Sequence, residues 1–503
     1  MTKDFLKMLS NLYMVALAVL LPLYTRGTYV LLGDTKYALF RNVALICLGL
    51  AGAALFAGWL EQQVRRRRNG LTTVKKQSAL NPVDICMLFY GGCTVLSALL
   101  SSYGTTAWTG YHEWYMGALS QVIFVGTYFF VSRQYRGSAW PVYLWEGAFF
   151  LVVLLGFCSR LGWDPLGLRE GFHSGDWEYS HLISTLGNIN WFCGYCAVAL
   201  AMPVAGYLKS RSVVKKRLLY SVSLLGLILL CIQGSDIGPV LAAACLGVCL
   251  LWGRKNVTAF GRTMLLAAGM AFGLPCYHGL VILLGDDARS ALPADGLGLS
   301  VFGWGGWWLL GLVCLGLYFA IRRMSRAFIG GLWLGTVILG ATVLVVGIVL
   351  YLTRILGSES WVQGRGALWR LAWEGFLRGD WKQKLLGAGP DCFAEYIYSV
   401  FAPGELPVVE GHWAKAVFAN AHNQWLNHLV NTGLFGLCCA AGIFVTAVRR
   451  YRRSLAGMLA LVMYGVNSLV SFQQVLSTPL FFLMLGICEY CARKAELESQ
   501  GGM

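Results

Sequence analysis

The stretch AHNQWLNHLVNTGLFGLCCAAGIFVTAVRRYRR, residues 421–453, decides what kind of protein this is. It opens with His422, Asn423, Asn427, His428 and Asn431, turns into an uncharged apolar run, and stops at RRYRR. An uncharged apolar run that ends in clustered arginines reads as a membrane helix with its basic end in the cytoplasm. The polar start then lies at the opposite face of the bilayer, where a histidine held at depth costs stability unless something uses it.

Outward from this stretch the whole chain has the same character. Its 503 residues are 57% hydrophobic and only 13% charged, and the mean hydropathy is +0.61. Soluble domains carry about 25% charged residues, so the composition predicts an integral membrane protein. A net charge of +16 would also suit a nucleic-acid binder. The distribution argues against nucleic acid as a partner, because the basic residues form short clusters between apolar runs. These clusters are RRRR (65–68), KK (75–76), RQYR (133–136), KSRSVVKKR (209–217), GRK (253–255), RRMSR (322–326) and RRYRR (449–453).

With about 20 apolar residues per span, roughly fourteen spans are predicted: 8–25, 37–60, 82–103, 115–132, 140–158, 189–208, 218–234, 237–252, 263–284, 300–321, 328–352, 424–447, 455–473 and 476–492. The predicted fold class is all-α, a polytopic transmembrane helix bundle with one large outer loop containing interfacial helices. The chain divides into an N-terminal bundle (1–352), a large extracytoplasmic loop (353–423) and C-terminal helices with a short cytoplasmic tail (424–503). The basic clusters fall in alternate loops. This places the protein in the cytoplasmic (inner) membrane, multi-pass, with both termini cytoplasmic. The first apolar run lacks a small-residue cleavage site and is read as the first span.

Sixteen cysteines are mostly embedded in apolar segments, where Cys acts as a small hydrophobe. Two C-x-x-C pairs, Cys193/Cys196 and Cys488/Cys491, imitate a zinc spacing. The predicted topology sets them most of a bilayer apart, so no shared metal is expected. His422 and His428 lie about 240° apart on a helix, which also disfavours a two-histidine metal site.

The outer loop of about 70 residues is too aromatic for disorder. Within it, GRGALWRLAWEGFLRGDW (364–381) sets Trp369, Trp373 and Phe376 on one helical face, with Arg370, Glu374 and Arg378 on the other. Such a helix suits the lipid interface and makes membrane lipids a partner. Arg365 stands at its N-terminal end, where anions bind readily. Arg354, Arg365, Arg370, Arg378, Lys382, Lys384 and Lys415 concentrate positive charge on the side that disfavours it. For each of them surface solvation competes with binding of a phosphate-bearing ligand. His422, with an ordinary value near 6.5, suits a general base; an ordinary interfacial histidine is the alternative. Asn423 is placed to orient the ring or a substrate. Asp391 follows the turn LLGAGPD (385–391). Gly433 and Gly436 suit close helix packing.

Three segments together resemble the O-antigen ligase/polymerase superfamily of polytopic membrane glycosyltransferases. The strongest is GRGALWRLAWEGF…LLGAGPDCF (364–393) followed by AHNQWLNHLVNTGLFG (421–436). The second is LGNINWFCGYCAVALAMP (186–203), and the weakest joins PLY (22–24) to AWTGYHEWYMGAL (107–119). The resemblance implies a membrane-embedded glycosyltransferase fold. It further implies a polyprenyl-diphosphate-linked glycan donor, a glycan, lipid or protein acceptor, and transfer at the outer face without metal, nucleotide sugar or other cofactor. It makes the enzyme an inverting ligase or polymerase, with Arg365 on the diphosphate and His422 as base. Asn423, Arg370, Asp236, Asn188 and Asp391 are the substrate-binding candidates. In QGSDIGPVLA (233–242) the family has Ser-Arg, and here Asp236 replaces the arginine. Either Arg160, Arg169 or Arg354 substitutes for it, or the acceptor site has changed, or donor affinity is weak. For Asn188 and Asn190, capping a helix start and contacting glycan both remain open. Two other functions stay in play: a lipid-linked oligosaccharide flippase or other transporter, and a non-catalytic envelope-assembly partner. The near absence of mid-span charge apart from Glu146 counts against the first.

Overall fold

The computed structural model describes residues 2–69, 80–254, 256–293, 299–321, 323, 330–338, 340, 365–407 and 417–501. Among these the fold is helical, apart from one antiparallel hairpin that pairs Leu182–Ile183 with Gly187–Asn188. The first ten principal helices are α1 (Thr2–Leu23), α2 (Leu32–Asn69), α3 (Pro82–Leu100), α4 (Ala118–Gln134), α5 (Trp140–Arg160), α6 (Ile189–Lys209), α7 (Val213–Ile232), α8 (Ile237–Gly253), α9 (Val257–Leu284) and α10 (Gly306–Ile321). They are followed by α11 (Arg365–Arg378), α12 (Phe393–Val400), α13 (Gln424–Asn431), α14 (Gly433–Tyr451), α15 (Leu455–Asn467) and α16 (Thr478–Gly501).

Eight segments are long and apolar enough to cross a membrane: α1, α2, α3, α5, α6, α9, Leu299–Ile321 and α14. Helices α8 and α15 are apolar but shorter. The expected segment at 218–234 is longer as a helix, because Ser212 caps α7 early and Lys215, Lys216 and Arg217 occupy its first turns. The expected single span at 424–447 is two helices. Gly433 takes φ +65°, and a Cβ there would sit 2.4 Å from the Leu385 carbonyl carbon, so the chain turns at that point and only α14 runs on as an apolar helix. The expected span at 328–352 falls largely outside the described residues, as do Arg354 and Lys415.

Local chemistry sets the helix boundaries. Asn81 and Asp84 form a reciprocal capping box at the start of α3, with Pro82 in the first turn, where its missing N–H costs nothing. In α1 a π turn at Ala16–Leu20 precedes Pro22. The carbonyls of Leu21 and Pro22 are taken by the fully buried Lys36 Nζ, at 2.7 and 2.9 Å.

The C-terminal helices pack into the N-terminal bundle: α14 lies on α3, α15 on α8, and α16 on α4. One apolar core runs through all of them. A second, smaller core of Leu371, Ala372, Phe393, Tyr396, Ile397 and Val430 lies under the large loop. That second core is why the loop has a shape: α11 turns Gly366, Ala367, Leu371, Ala372 and Gly375 inward and leaves Trp373 and Leu377 outside, each half exposed. It thereby brings the N-terminus of α11 and the segment before α13 to the same end of the bundle.

Candidate functional site

The Gly-Ala-Gly turn at 387–389 is clamped to the end of α13. Ala388 N–H donates to Val430 O and Gly389 N–H to Asn431 O, both at 2.9 Å. Gly387 (φ +78°) has no room for a Cβ, which would fall 2.3 Å from the Asn431 carbonyl carbon. From the other side Ser101 Oγ donates to Ala388 O at 2.6 Å and Ser97 Oγ to Asn431 O at 3.1 Å. The two loop motifs singled out in the sequence therefore form one rigid unit, anchored to the end of α3.

On this unit sits His422, half-buried, with φ +46°. Left-handed backbone is uncommon outside glycine, though histidine is enriched there, and such conformations cluster at functional sites. Two neighbours hold it: Asn420 Oδ1 accepts the His422 N–H at 3.0 Å, and Asn423 caps α13. The Asn423 amide is engaged by main chain on both its atoms. Its oxygen accepts from Trp425 and Leu426 N–H, and its nitrogen donates to Leu469 O. Asn423 thus fixes the histidine's position, and one amide N–H remains for another partner.

The His422 ring meets Phe472 edge-on at 5.1 Å. Phe472 in turn meets Trp114 at 4.7 Å, and Trp114 meets Trp191 at 5.6 Å. Beside this aromatic row lies Arg365, half-buried in the first turn of α11, with Nη2 3.4 Å from Asn190 Oδ1. Ser235 Oγ donates to the same oxygen at 2.6 Å. Asn188 caps α6 through the Asn190 N–H, which orients this group. Among the described residues no carboxylate pairs with the Arg365 guanidinium. Arg365 and His422 are within electrostatic reach of each other. Burial, and then the arginine's charge, push the imidazole down to about 3, so it is neutral near pH 7.

His428 is not part of this pair. It is buried on α13, within 3.0 Å of Gln424 Nε2 and edge-on to Tyr90. Gln121, Gln473 and Tyr90 continue the network through Gln121 Nε2 to Gln473 Oε1 (2.8 Å) and Tyr90 Oη to Gln121 Oε1 (2.7 Å). A polar cavity of about 30 Å³, lined in part by Asp391, Asn420, Asn427 and His428, joins the network to the Phe472 side. That is room for one or two waters.

The remaining candidates separate. Asp391 (φ +61°) is buried, and one carboxylate oxygen accepts both Tyr111 and Met116 N–H at 2.8 Å, which ties the 110–117 loop to the motif unit. Burial raises its carboxyl to about 7 against the pull of these donors, with Glu395 adding to the rise. Arg370 is exposed and faces Glu374 at 3.6 Å, on the solvent side of α11. Asp236 is exposed at the start of α8, next to Ser235. Arg160 and Arg169 lie together at the end of α5, outside the Arg365–His422 group. Ser235, Trp114 and Phe472 carry no motif of their own. Trp114 lies in the quoted 107–119 segment and Ser235 directly precedes the substituted Asp236, so position relative to a motif was the one available signal.

No protein-family model matches this chain, and no curated protein matches its sequence.

Proposed function

We propose that the chain is a membrane-embedded glycosyltransferase of the O-antigen ligase/polymerase kind. It would join a glycan from a polyprenyl-diphosphate carrier to an acceptor hydroxyl at the outer face of the cytoplasmic membrane, in a bundle of about fourteen spans. The observation that carries this reading is a neutral, half-buried His422 within electrostatic reach of Arg365 and edge-on to the first ring of an aromatic row. The acceptor oxygen attacks the anomeric carbon while the bond from that carbon to the diphosphate oxygen breaks. The hydroxyl proton passes to the imidazole. The departing diphosphate keeps the electron pair, and its charge is met by the guanidinium, a donor that cannot lose its proton. Attack opposite the leaving group inverts the sugar centre.

The electrostatics make this sequential. Burial first, and then an arginine that pairs with none of the described carboxylates, hold the histidine unprotonated but weakly basic. A diphosphate on Arg365 cancels that charge, removes one of the two causes of the depression, and raises the base towards its working range. The aromatic row of Trp114, Trp191 and Phe472 suits the apolar faces of sugar rings, and Asn190 and Ser235 supply polar contacts beside the arginine.

The test is turnover of a polyprenyl-diphosphate oligosaccharide by the purified chain with candidate acceptors, followed by product mass and release of polyprenyl diphosphate. Loss of both in Arg365→Ala and His422→Ala, with folding retained, is the expected result. Unchanged turnover in either variant removes the site. Movement of intact donor across the bilayer without bond cleavage replaces it with a transporter.

A further inference from the structure

We propose that Arg160 and Arg169 form a second anion site, separate from the Arg365–His422 mouth, that takes a phosphate group. Arg160, the last residue of α5, is fully buried, and Arg169 is 5% exposed. Each uses one terminal nitrogen to hold main chain. Arg160 Nη1 donates to Ser180 O at 2.7 Å and to Ala291 O. Arg169 Nη2 donates to Ser159 O at 2.9 Å and to Leu182 O at 3.3 Å, and its guanidinium stands over the Tyr179 ring at 4.6 Å.

Four nitrogens remain buried without a partner among the described residues: Arg160 Nε and Nη2, and Arg169 Nε and Nη1. None of the described carboxylates forms an ion pair with either guanidinium. The nearby Asp164 accepts the Arg169 main-chain N–H, at 2.7 Å. The two cations are close enough to repel each other. Burying like charges without a counter-charge is strongly unfavourable, and the two tyrosine hydroxyls alongside, Tyr29 donating to Ser184 O and Tyr277 to Arg160 O, are neutral and supply no counter-charge.

The shape of what is left identifies the ligand. Nε and Nη2 of Arg160 are the side edge of a guanidinium fork, which matches two oxygens of one oxyanion. A second guanidinium adds another pair of donors and another positive charge. A carboxylate has two oxygens and one charge, and leaves half of this unmet. Inorganic phosphate or a phosphomonoester offers at least three unesterified oxygens and up to two charges. Arg169 is buried within a segment, 163–176, that is otherwise mostly exposed. The phosphate can come from a free anion or from a lipid headgroup at the end of the α5 span, and the two sources are separable. Nothing here depends on glycosyl transfer.

The test uses the full chain in phosphatidylcholine nanodiscs. Inorganic phosphate and pyrophosphate are titrated against chloride at matched ionic strength, followed by thermal unfolding and by ³¹P line broadening. A second arm replaces part of the lipid with phosphatidic acid, whose headgroup is a phosphomonoester. The expected result is a phosphate-specific rise in Tm that grows with the logarithm of concentration, is lost in Arg169→Gln, and persists in Arg365→Ala. A response confined to phosphatidic acid discs also supports the site and assigns the headgroup as its source. Arg169→Gln alters a residue in a largely exposed segment and is the primary variant; if Arg160→Gln fails to fold, the wild-type ³¹P broadening still reports binding. Absence of any phosphate-specific response in wild type in both arms overturns the proposal. So does a response that survives Arg169→Gln or disappears in Arg365→Ala.

Discussion

The two ends of the bundle treat arginine in opposite ways. At the start of α3, Asp84 accepts from Arg133 (2.8 Å), Arg493 (2.7 Å) and Tyr128 (2.7 Å). Glu489 accepts from Arg450, Arg493, Tyr451 and Asn81, and Glu496 takes the other side of Arg450. Asp84 and Glu489 are fully buried, and each is surrounded by donors. This cluster ties α3, α4, α14 and α16 together. At the other end of the bundle, among the described residues, Arg365 has one long hydrogen bond to an amide oxygen, and Arg160 and Arg169 hydrogen-bond only to main-chain carbonyls, with Arg169 also over the Tyr179 ring. Where the charges are neutralised within the chain, they hold helices. Where they are left to neutral oxygens, no carboxylate among the described residues balances them.

The sharpest way to break this contrast is at Arg365. Arg365→Ala is expected to lower turnover about 10²–10³-fold, the usual cost of one preorganised charge donor, while the thermal midpoint hardly moves, because its one contact to the fold is 3.4 Å long. At the paired end the pattern reverses. Glu489→Gln leaves Arg450 and Arg493 short of a counter-charge in a buried site, and is expected to cost roughly 3–5 kcal/mol of stability with turnover per folded molecule nearly intact. Parallel assays of donor turnover and thermal unfolding read both, and a mirror-image outcome would erase the distinction.

A smaller effect tests the coupling between cation and base. If diphosphate relieves the depression of His422, the acid limb of the kcat profile lies at higher pH than that of kcat/KM, since the two report the donor-bound and free protein. Coincident limbs would mean that Arg365 does not tune the imidazole in the bound state. Asp391 gives the smallest shift. Its carboxyl is raised from 3.8 to about 7 in the folded chain, so the folded state holds the extra proton. Its contribution is complete below pH 4 and is lost as pH climbs to 7. Asp391→Asn keeps an oxygen for Tyr111 and Met116 N–H without the charge. The variant should match wild type at low pH and melt slightly higher at pH 8, and a lower melting point at pH 8 would show that the carboxylate form is the stabilising one.

Individual residues show how far the sequence reading reached. The all-α membrane bundle follows from uninterrupted apolar runs, and α1, α3, α5, α6 and α9 begin or end within a few residues of their expected positions. The break at Gly433 was not legible, because a glycine inside an apolar run reads equally as helix packing; its positive φ and the Leu385 backbone packed against it exist only in the fold. Asn188 resolved as a cap. Asn423 and Asp391 also turned out to bind main chain, a role that residue type and neighbourhood in sequence do not separate from substrate contact.

By itself the sequence determined the solvent: transfer of side chains between water and hydrocarbon depends on their composition and local run length, both of which are written along the chain. It also supplied Arg365 and His422 as chemically suited residues. Only the tertiary structure decided that Arg365 meets Asn190 and Ser235, that Phe472 and Trp114 stand beside His422, and which arginines find carboxylates. Coulomb energy and hydrogen bonding depend on separation in space, and residues hundreds of positions apart come together only once the helices have packed.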